Sequence, residues 1–383
     1  MRPVFFLADF EILDCSKQVG RFCKSFWKES TNAFAEISLF FARKSQPTNM
    51  KDSPVEKVYV LAACLLMFWT YTNPAWSAVR LPDCRPPETR SELWWESLVG
   101  PLDTDCWRPL SFSDFLSDGW ESPYDSISYH TPRQTWINSA DGAFYRLAVL
   151  SGSWAQGTPE VADTANGSVF LFTPLNRRFE IGWFLPFSVI APDALSPTSE
   201  TYRGTGDLTV APRFLLAEDK EYSFTANCYI RCPTGSVLTG NGVTSLSPDI
   251  EFWLNPTGKW ILRGGVGVTV PTNLTAGSAP LLEANPWTGF NLSPSAFSSF
   301  DARVASGFYL TDDKASVFKH LCGTVSTNLH TQINGGNATY FSITPGMRTG
   351  VGRDWYLLAG FEVPLVGPLP FSNQAIVQLI KNF

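Results

Sequence analysis

The sequence predicts an all-β fold, a transmembrane antiparallel up-and-down β-barrel of about 12 strands behind a short irregular or helical leader. Three observations predict it. The first is the period-two pattern of residues 353–383. Trp355, Leu357, Ala359, Phe361 and Val363 share one side of an extended chain, and Tyr356, Leu358, Gly360 and Glu362 the other. Beyond Pro364 and Pro368, Ala375, Val377, Leu379 and Phe383 lie on one face, with Lys381 interrupting and Gln374, Gln378 and Asn382 opposite. Side chains of a strand point alternately to opposite sides, so such a segment needs an apolar surround on one face and a polar one on the other. The second observation is that short turns alternate with long connections. The third is an aromatic content of 14%, with 14 Trp, enough to form girdles at two water–lipid boundaries. An aromatic-rich β-sandwich or lectin-like protein accounts for that composition equally well.

The chain has 383 residues, 17% charged, with a formal net charge of -6. That balance argues against a disordered chain and against a nucleic-acid surface. Residues 1–49 are expected to be an upstream extension from an early start codon, with Met50 as the natural start. The rival is a cytoplasmic tail ahead of a signal anchor. Residues 50–77 read as a signal peptide. The run from Val58 to Trp69 follows Lys51, Glu56 and Lys57, and is too short to span a bilayer, which takes about 20 residues. Ala75 and Ser77 suit cleavage after Ser77 or Ala78. Leu61-Ala62-Ala63-Cys64 mimics a lipoprotein box, but only Val58, Tyr59 and Val60 separate it from Lys57.

Residues 78–140 form a Trp/Pro/Asp-rich segment without sustained alternation. Helical turns are expected at Ser91–Val99 and Ser111–Leu116. Its aromatics need a dry place: inside the lumen as a plug, under the periplasmic mouth as a lid, or against a partner. A loosely packed leader arm is the alternative. Cys84 and Cys106 are candidates to pair in an oxidising compartment. Cys228 and Cys232 are not, because four residues of strand put them ~13 Å apart, beyond the ~7 Å that a disulfide bridges.

Residues 141–383 read as the barrel. Strands are expected at 143–153, 166–175, 178–189, 206–217, 220–232, 246–254, 259–270, 299–311, 315–329, 338–349, 353–364 and 373–383. Short turns fall at Asn176-Arg177, Glu218-Asp219, 255–258, 311–314 and Val351-Gly352. Longer connections fall between them at 154–165, 190–205, 233–245, 271–298, 330–337 and 365–372. An outer-membrane barrel has short periplasmic turns and longer outer loops. Lys319 is the misfit on the apolar face, tolerable near the interface, where a lipid-facing Lys costs ~0–1 kcal/mol.

The face opposite the apolar one gives Glu180, Asp207, Arg213, Arg231, Asp249, Glu251, Arg263, Arg303, Arg348 and Glu362 as lumen-facing residues. Opposite charges lining a narrow lumen either form ladders that fix its shape or present a polar path to a solute. Both readings stay open here. A barrel of about twelve strands is wider than a filled one of about eight and narrower than an aqueous channel of about sixteen. No catalytic or metal site is expected. Of His130, His320 and His330, the last two share one strand ~33 Å apart, and no motif supports a Ser342–His320 pair. Gly264 to Gly267 sits mid-strand without a phosphate-loop helix.

Several short motifs carry a family resemblance. They are Gly206-Asp207-Leu208-Thr209-Val210-Ala211-Pro212-Arg213-Phe214, Pro233-Thr234-Gly235, Thr344-Pro345-Gly346-Met347-Arg348, and Phe361-Glu362-Val363-Pro364 with Gly367-Pro368. In that order they resemble a family of outer-membrane barrel transporters labelled with the MetA pathway of phenol degradation, over residues 140 to 383. The segment from Trp107 to Tyr145 resembles the leader of some members. The resemblance implies passive passage of small, often hydrophobic or aromatic molecules across the outer membrane, with no cofactor and no established site residues to carry over. The expected partners are outer-membrane lipid, a small-molecule solute and the barrel-insertion machinery, which would read the closing strand ending at Phe383; no nucleic acid is expected. The alternatives are a non-conducting anchor or adhesion barrel acting through its outer loops, and a secreted soluble β-sandwich.

Overall fold

The computed structural model describes residues 87, 89–100, 107–125, 133, 135–156, 164–190, 202–235, 243–272, 298–312, 315, 318–333, 339–352, 354–367 and 371–383. The chain divides into two compact units, 1–64 and 65–383, and every described residue belongs to the second. The expected extension, signal peptide, Cys64, Cys84, Cys106, His130 and most of the long loops lie outside the described residues.

Among the described residues one helix, α1 (Arg90–Val99), precedes the strands, where the sequence predicts helical turns. Thr89 caps it by accepting from the Glu92 backbone N–H at 3.2 Å, while the Glu92 carboxylate accepts from the Thr89 N–H at 3.1 Å. That reciprocal box satisfies two of the amides that a helix start leaves unpaired. The strands follow in order: β1 (Leu147–Gln156), β2 (Thr164–Pro174), β3 (Phe179–Ile190), β4 (Tyr202–Thr205), β5 (Thr209–Glu218), β6 (Tyr222–Arg231), β7 (Ser245–Leu254), β8 (Trp260–Pro271), β9 (Ser299–Tyr309), β10 (Lys319–Gln332), β11 (Thr339–Gly352), β12 (Trp355–Val366) and β13 (Asn373–Asn382).

Each strand pairs antiparallel with the strand before and after it, except that β4 and β5 both pair with β3, and β1 pairs with both β2 and β13, so the sheet closes. Short β4 extends the line of β5 along β3, interrupted at Gly206–Leu208, which leaves a closed 12-strand antiparallel barrel. Closure pairs the edge strands with each other and leaves no open row of backbone donors.

The two faces separate cleanly. The outer face exposes Leu150, Ile250, Val266, Phe308, Met347 and Val377, each at 48–55%. The inner face buries Arg213, Arg263, Arg348, Glu180 and Glu362 at 0%. Polar atoms on the outer face find partners within the sheet. Trp183 Nε1 donates to Thr173 Oγ1 at 3.1 Å, Trp260 Nε1 to Ser306 Oγ at 2.8 Å, and Thr327 Oγ1 to the Val304 carbonyl at 3.1 Å. Such satisfaction from within is what a surround without water demands.

Three strand boundaries differ notably from the sequence reading. β1 starts at Leu147 rather than 143, because residues 143–146 belong to a segment inside the barrel, described below. β11 runs through Gly352, and the turn sits at Asp354, which holds φ 60. β10 begins at Lys319 rather than 315, since Phe318 (φ 55) and His320 (φ 51) take left-handed backbone and shift the register before Cys322. The connection 310–318 is therefore longer than 333–338, and the strict alternation of short and long fails at that one place. Lys319 opens its strand at the rim, where its charge reaches water.

Candidate lumen site

The end carrying the short connections, the entry to β1 and Phe383 is the turn end; the opposite one is the loop end. At the turn end, residues 107–125 strap the rim. Leu110 exchanges backbone hydrogen bonds with Glu218 at 2.9 and 2.8 Å, adding a bridge to the end of β5. The Glu218 carboxylate then gathers Arg133, Arg177 at 2.9 Å and Trp107 Nε1 at 3.3 Å. Arg178 donates to the carbonyls of Asp118 and Leu216, each at 2.8 Å, and of Leu215 at 3.0 Å. Arg146 ties α1 to the seam, donating to Gly100 O at 2.7 Å and Phe383 O at 2.9 Å.

From there the chain enters the barrel. Residues 133 and 135–146 are buried without alternation, although none of them is in a strand. The segment turns at Ile137–Asn138, where Asn138 holds φ 54, and returns to β1. Lacking a ladder of its own, it needs partners for its buried carbonyls, and the wall supplies them. Arg263 takes Arg133 O, Ser326 Oγ takes Ile137 O at 2.8 Å, and Arg213 takes both Asp141 O and Ala143 O. Asn138 Nδ2 reaches Thr344 Oγ1 at 2.9 Å and Glu362 Oε2 at 2.8 Å. The Tyr145 amide donates to Glu180 Oε1 at 2.7 Å, and Arg263 pairs with Asp141 at 3.1 Å. Burial raises the Asp141 carboxyl above its ordinary range, against the opposing pull of Arg263 and Arg213.

The wall is cut back where the insert touches it. A Cβ on Gly307 would lie 2.4 Å from the Trp136 ring, one on Gly265 3.1 Å from the Ala140 Cβ, and one on Gly360 3.1 Å from Ile137. On the insert itself, a Cβ on Gly142 would come within 2.1 Å of the Phe252 backbone. Guanidiniums also stack on the insert and its surroundings: Arg263 over Trp136 and Arg133 over Trp253, each at 4.6 Å.

The ten residues read from the sequence as lumen-facing fall in two groups. Glu180, Arg213, Arg263 and Glu362 contact the insert as above. Asn227 joins Arg213, at 3.1 Å, to Asp249 and Glu251, at 2.8 and 2.9 Å. Asp207 lies in the break between β4 and β5 and accepts from the Gly235 amide at 2.8 Å. Arg231 ends β6 at the loop end, half-buried, and Arg303 lies half-buried on β9 between Asp301 and Ala305. Arg348 is fully buried beside Tyr309.

Sequence reasoning missed Arg133, Asp141, Arg177, Arg178 and Glu218. A doublet of arginines in a tight turn and the acidic residue placed in a turn rather than on the wall were the available signals. Ser342 and His320 are not brought together. Ser342 faces Asn328 across β10–β11, eight residues along β10 from His320 or about 26 Å, and its hydroxyl donates to Glu362 at 2.6 Å. His330 instead bonds Asp301 at 2.7 Å. Gly264, Gly265 and Gly267 mark close approach of neighbouring side chains, a Cβ on each meeting an atom within 2.8 Å. Among the described residues no group of three metal-ligating side chains gathers.

No family model matches the chain, so the resemblance drawn from residues 206–214 and 344–348 stands without that support, and no curated protein matches it either. Solved structures do match. An outer membrane channel from Pseudomonas putida F1 is 11% identical, with 68% of this chain and 100% of that chain covered, at TM-score 0.45. The NanC porin is 8% identical, covering 62% and 98% at TM-score 0.40, and the KdgM porin 7%, covering 62% and 99% at TM-score 0.39. These likenesses are of barrel form alone, and the barrel rests on this chain's own strand pairings.

Proposed function

We propose that this protein is an outer-membrane β-barrel channel for passive passage of small molecules, with residues 133–145 as its internal plug. The observation that carries the reading is the inverted polarity of a closed barrel. An apolar belt faces outward and buried Arg, Glu, Asn and Gln face inward, the arrangement that lipid outside and a polar lumen inside both require. The lumen residues act as a ladder where the insert is bonded to them, and as a polar path beyond it towards the loop end. Small hydrophobic or aromatic solutes are the class we favour. The inner wall near β1–β3 supports it, where Leu147, Val149, Phe170, Phe172 and Phe184 form one apolar cluster. Recognition of β13 and Phe383 by the insertion machinery belongs to the same reading.

The filled turn-end lumen also fits a non-conducting anchor, so conductance is the test. Wild-type protein in planar bilayers is expected to open rarely. Trp136→Ala combined with Asp141→Asn, which empties the Gly307 notch and removes the Arg263 pair, is expected to open often. If both proteins keep heat-modifiable gel mobility and neither conducts, the channel reading fails and the anchor stands. Release from membranes by carbonate without detergent would reject both in favour of a soluble fold.

A further inference from the structure

Arg348 differs from Arg213, Arg263, Arg133 and Arg177. Arg213 has Glu180, Arg263 has Asp141, and Arg133 and Arg177 share Glu218. Arg348 is equally buried, but no carboxylate pairs with it among the described residues. Its Nη1 donates to Tyr309 Oη at 3.0 Å, and its guanidinium lies 4.3 Å over the Tyr356 ring. Nε and Nη2 donate to no partner among the described residues. Glu362, on the neighbouring strand, is four residues from Leu358, the residue opposite Arg348, or about 13 Å. It is already taken up by Tyr340, Ser342 and Asn138.

An uncompensated buried charge is costly and persists where something else neutralises it. Nε and Nη2 form one edge of the planar fork, the edge that takes both oxygens of a carboxylate side-on. Around it Tyr309, Tyr356, Leu358 and Ile380 belong to one apolar cluster. Two residues from Tyr309 on β9, and two from Leu358 on β12, the Gly307 and Gly360 notches hold Trp136 and Ile137, so the tip of the insert stands beside this place.

We propose that Arg348 is the binding site for a small monocarboxylate with an apolar body. The carboxylate is held on Nε and Nη2, and the body lies among Tyr309, Tyr356 and Leu358, exposed when the insert withdraws. This deepens the channel reading and rests on it.

Equilibrium dialysis of the intact detergent-solubilised protein against radiolabelled benzoate, with benzyl alcohol as the uncharged control, tests the site. Benzoate is expected to bind saturably and benzyl alcohol at least tenfold more weakly. Arg348→Met is expected to weaken benzoate at least tenfold, with Arg348→Lys between the two. Without benzoate, Arg348→Met is expected to melt no lower than wild type, since it removes an unpaired charge. Equal binding of benzoate and benzyl alcohol, or unchanged benzoate affinity in Arg348→Met, overturns the proposal. So does a lower melting point of Arg348→Met in the absence of benzoate, which would make the guanidinium a structural piece. Lost binding with normal conductance refutes the site alone, whereas absent conductance refutes the channel and leaves the dialysis result readable.

Discussion

Two regions of the barrel interior solve the same problem differently. Where the insert lies, from the turn end to past mid-strand at Thr344 and Glu362, the wall bonds to something inside it. Arg213, Arg263, Ser326, Thr344, Glu180 and Glu362 all reach across to residues 133–145. Nearer the loop end, hydrogen bonds found among described residues link neighbouring strands. Ser188 donates to Asn166 at 2.7 Å and Gln374 to Ser153 at 2.7 Å, while Ser247 meets Thr269 at 2.9 Å. Buried charges demand fixed partners, because removing one leaves the other stranded in low dielectric. Neutral hydroxyls and amides make weaker bonds that water can replace. In the proposed reading the first region holds the plug and the second is the passable part of the lumen.

Mutations on each side should separate those roles, the largest effects coming from the charged region. Arg213→Met strands Glu180 and frees two insert carbonyls, so it should cost about 3–5 kcal/mol, read as a lower denaturant midpoint for the heat-modifiable band. On the outer face, Ile250→Arg places a charge midway along β7 and should cost about 2–4 kcal/mol, whereas Lys319→Leu at the rim should change stability by about 1 kcal/mol or less. If the two outer substitutions cost the same, lipid does not face that belt. Gly307→Ala pushes a methyl into the Trp136 ring. Overpacking of about 1–3 kcal/mol should fall on the insert rather than the barrel, so open probability should rise while the melting point holds. Least of all, Gln374→Ala nearer the loop end should cost about 0.5–1.5 kcal/mol and leave open probability unchanged.

The outward and inward faces of β5, β8, β12 and β13 were legible in the sequence because a pleat with an apolar outer face and a polar inner one imposes period two on its residues. The path of residues 133–146 was not. Ala143 to Arg146 precede β1 without a break in burial, and a segment enclosed on all sides has no periodicity to betray it. Its tracks were on other strands instead, in Gly265, Gly307 and Gly360, which look like ordinary strand glycines until Ala140, Trp136 and Ile137 are set against them. The start of β10 was missed for a different reason. Phe318 takes left-handed backbone that a bulky aromatic residue rarely adopts, with His320 beside it, so tertiary context rather than local preference fixes that corner. Likewise Glu218 looked like a turn acid, and only the convergence of Arg133, Arg177 and Trp107 shows it as the clasp of the turn end.

The account turns on the insert having to leave for anything to pass. Ala140→Cys with Gly265→Cys joins insert to wall at a place where the Cβ atoms would stand 3.1 Å apart, close to the ~3.5–4.5 Å of a disulfide. Single-channel recording of this double variant, with each single variant as the control for the native thiols, should show openings under reductant and none after oxidation. Openings that persist unchanged in the oxidised double variant, or that never occur in the reduced one, would contradict the account.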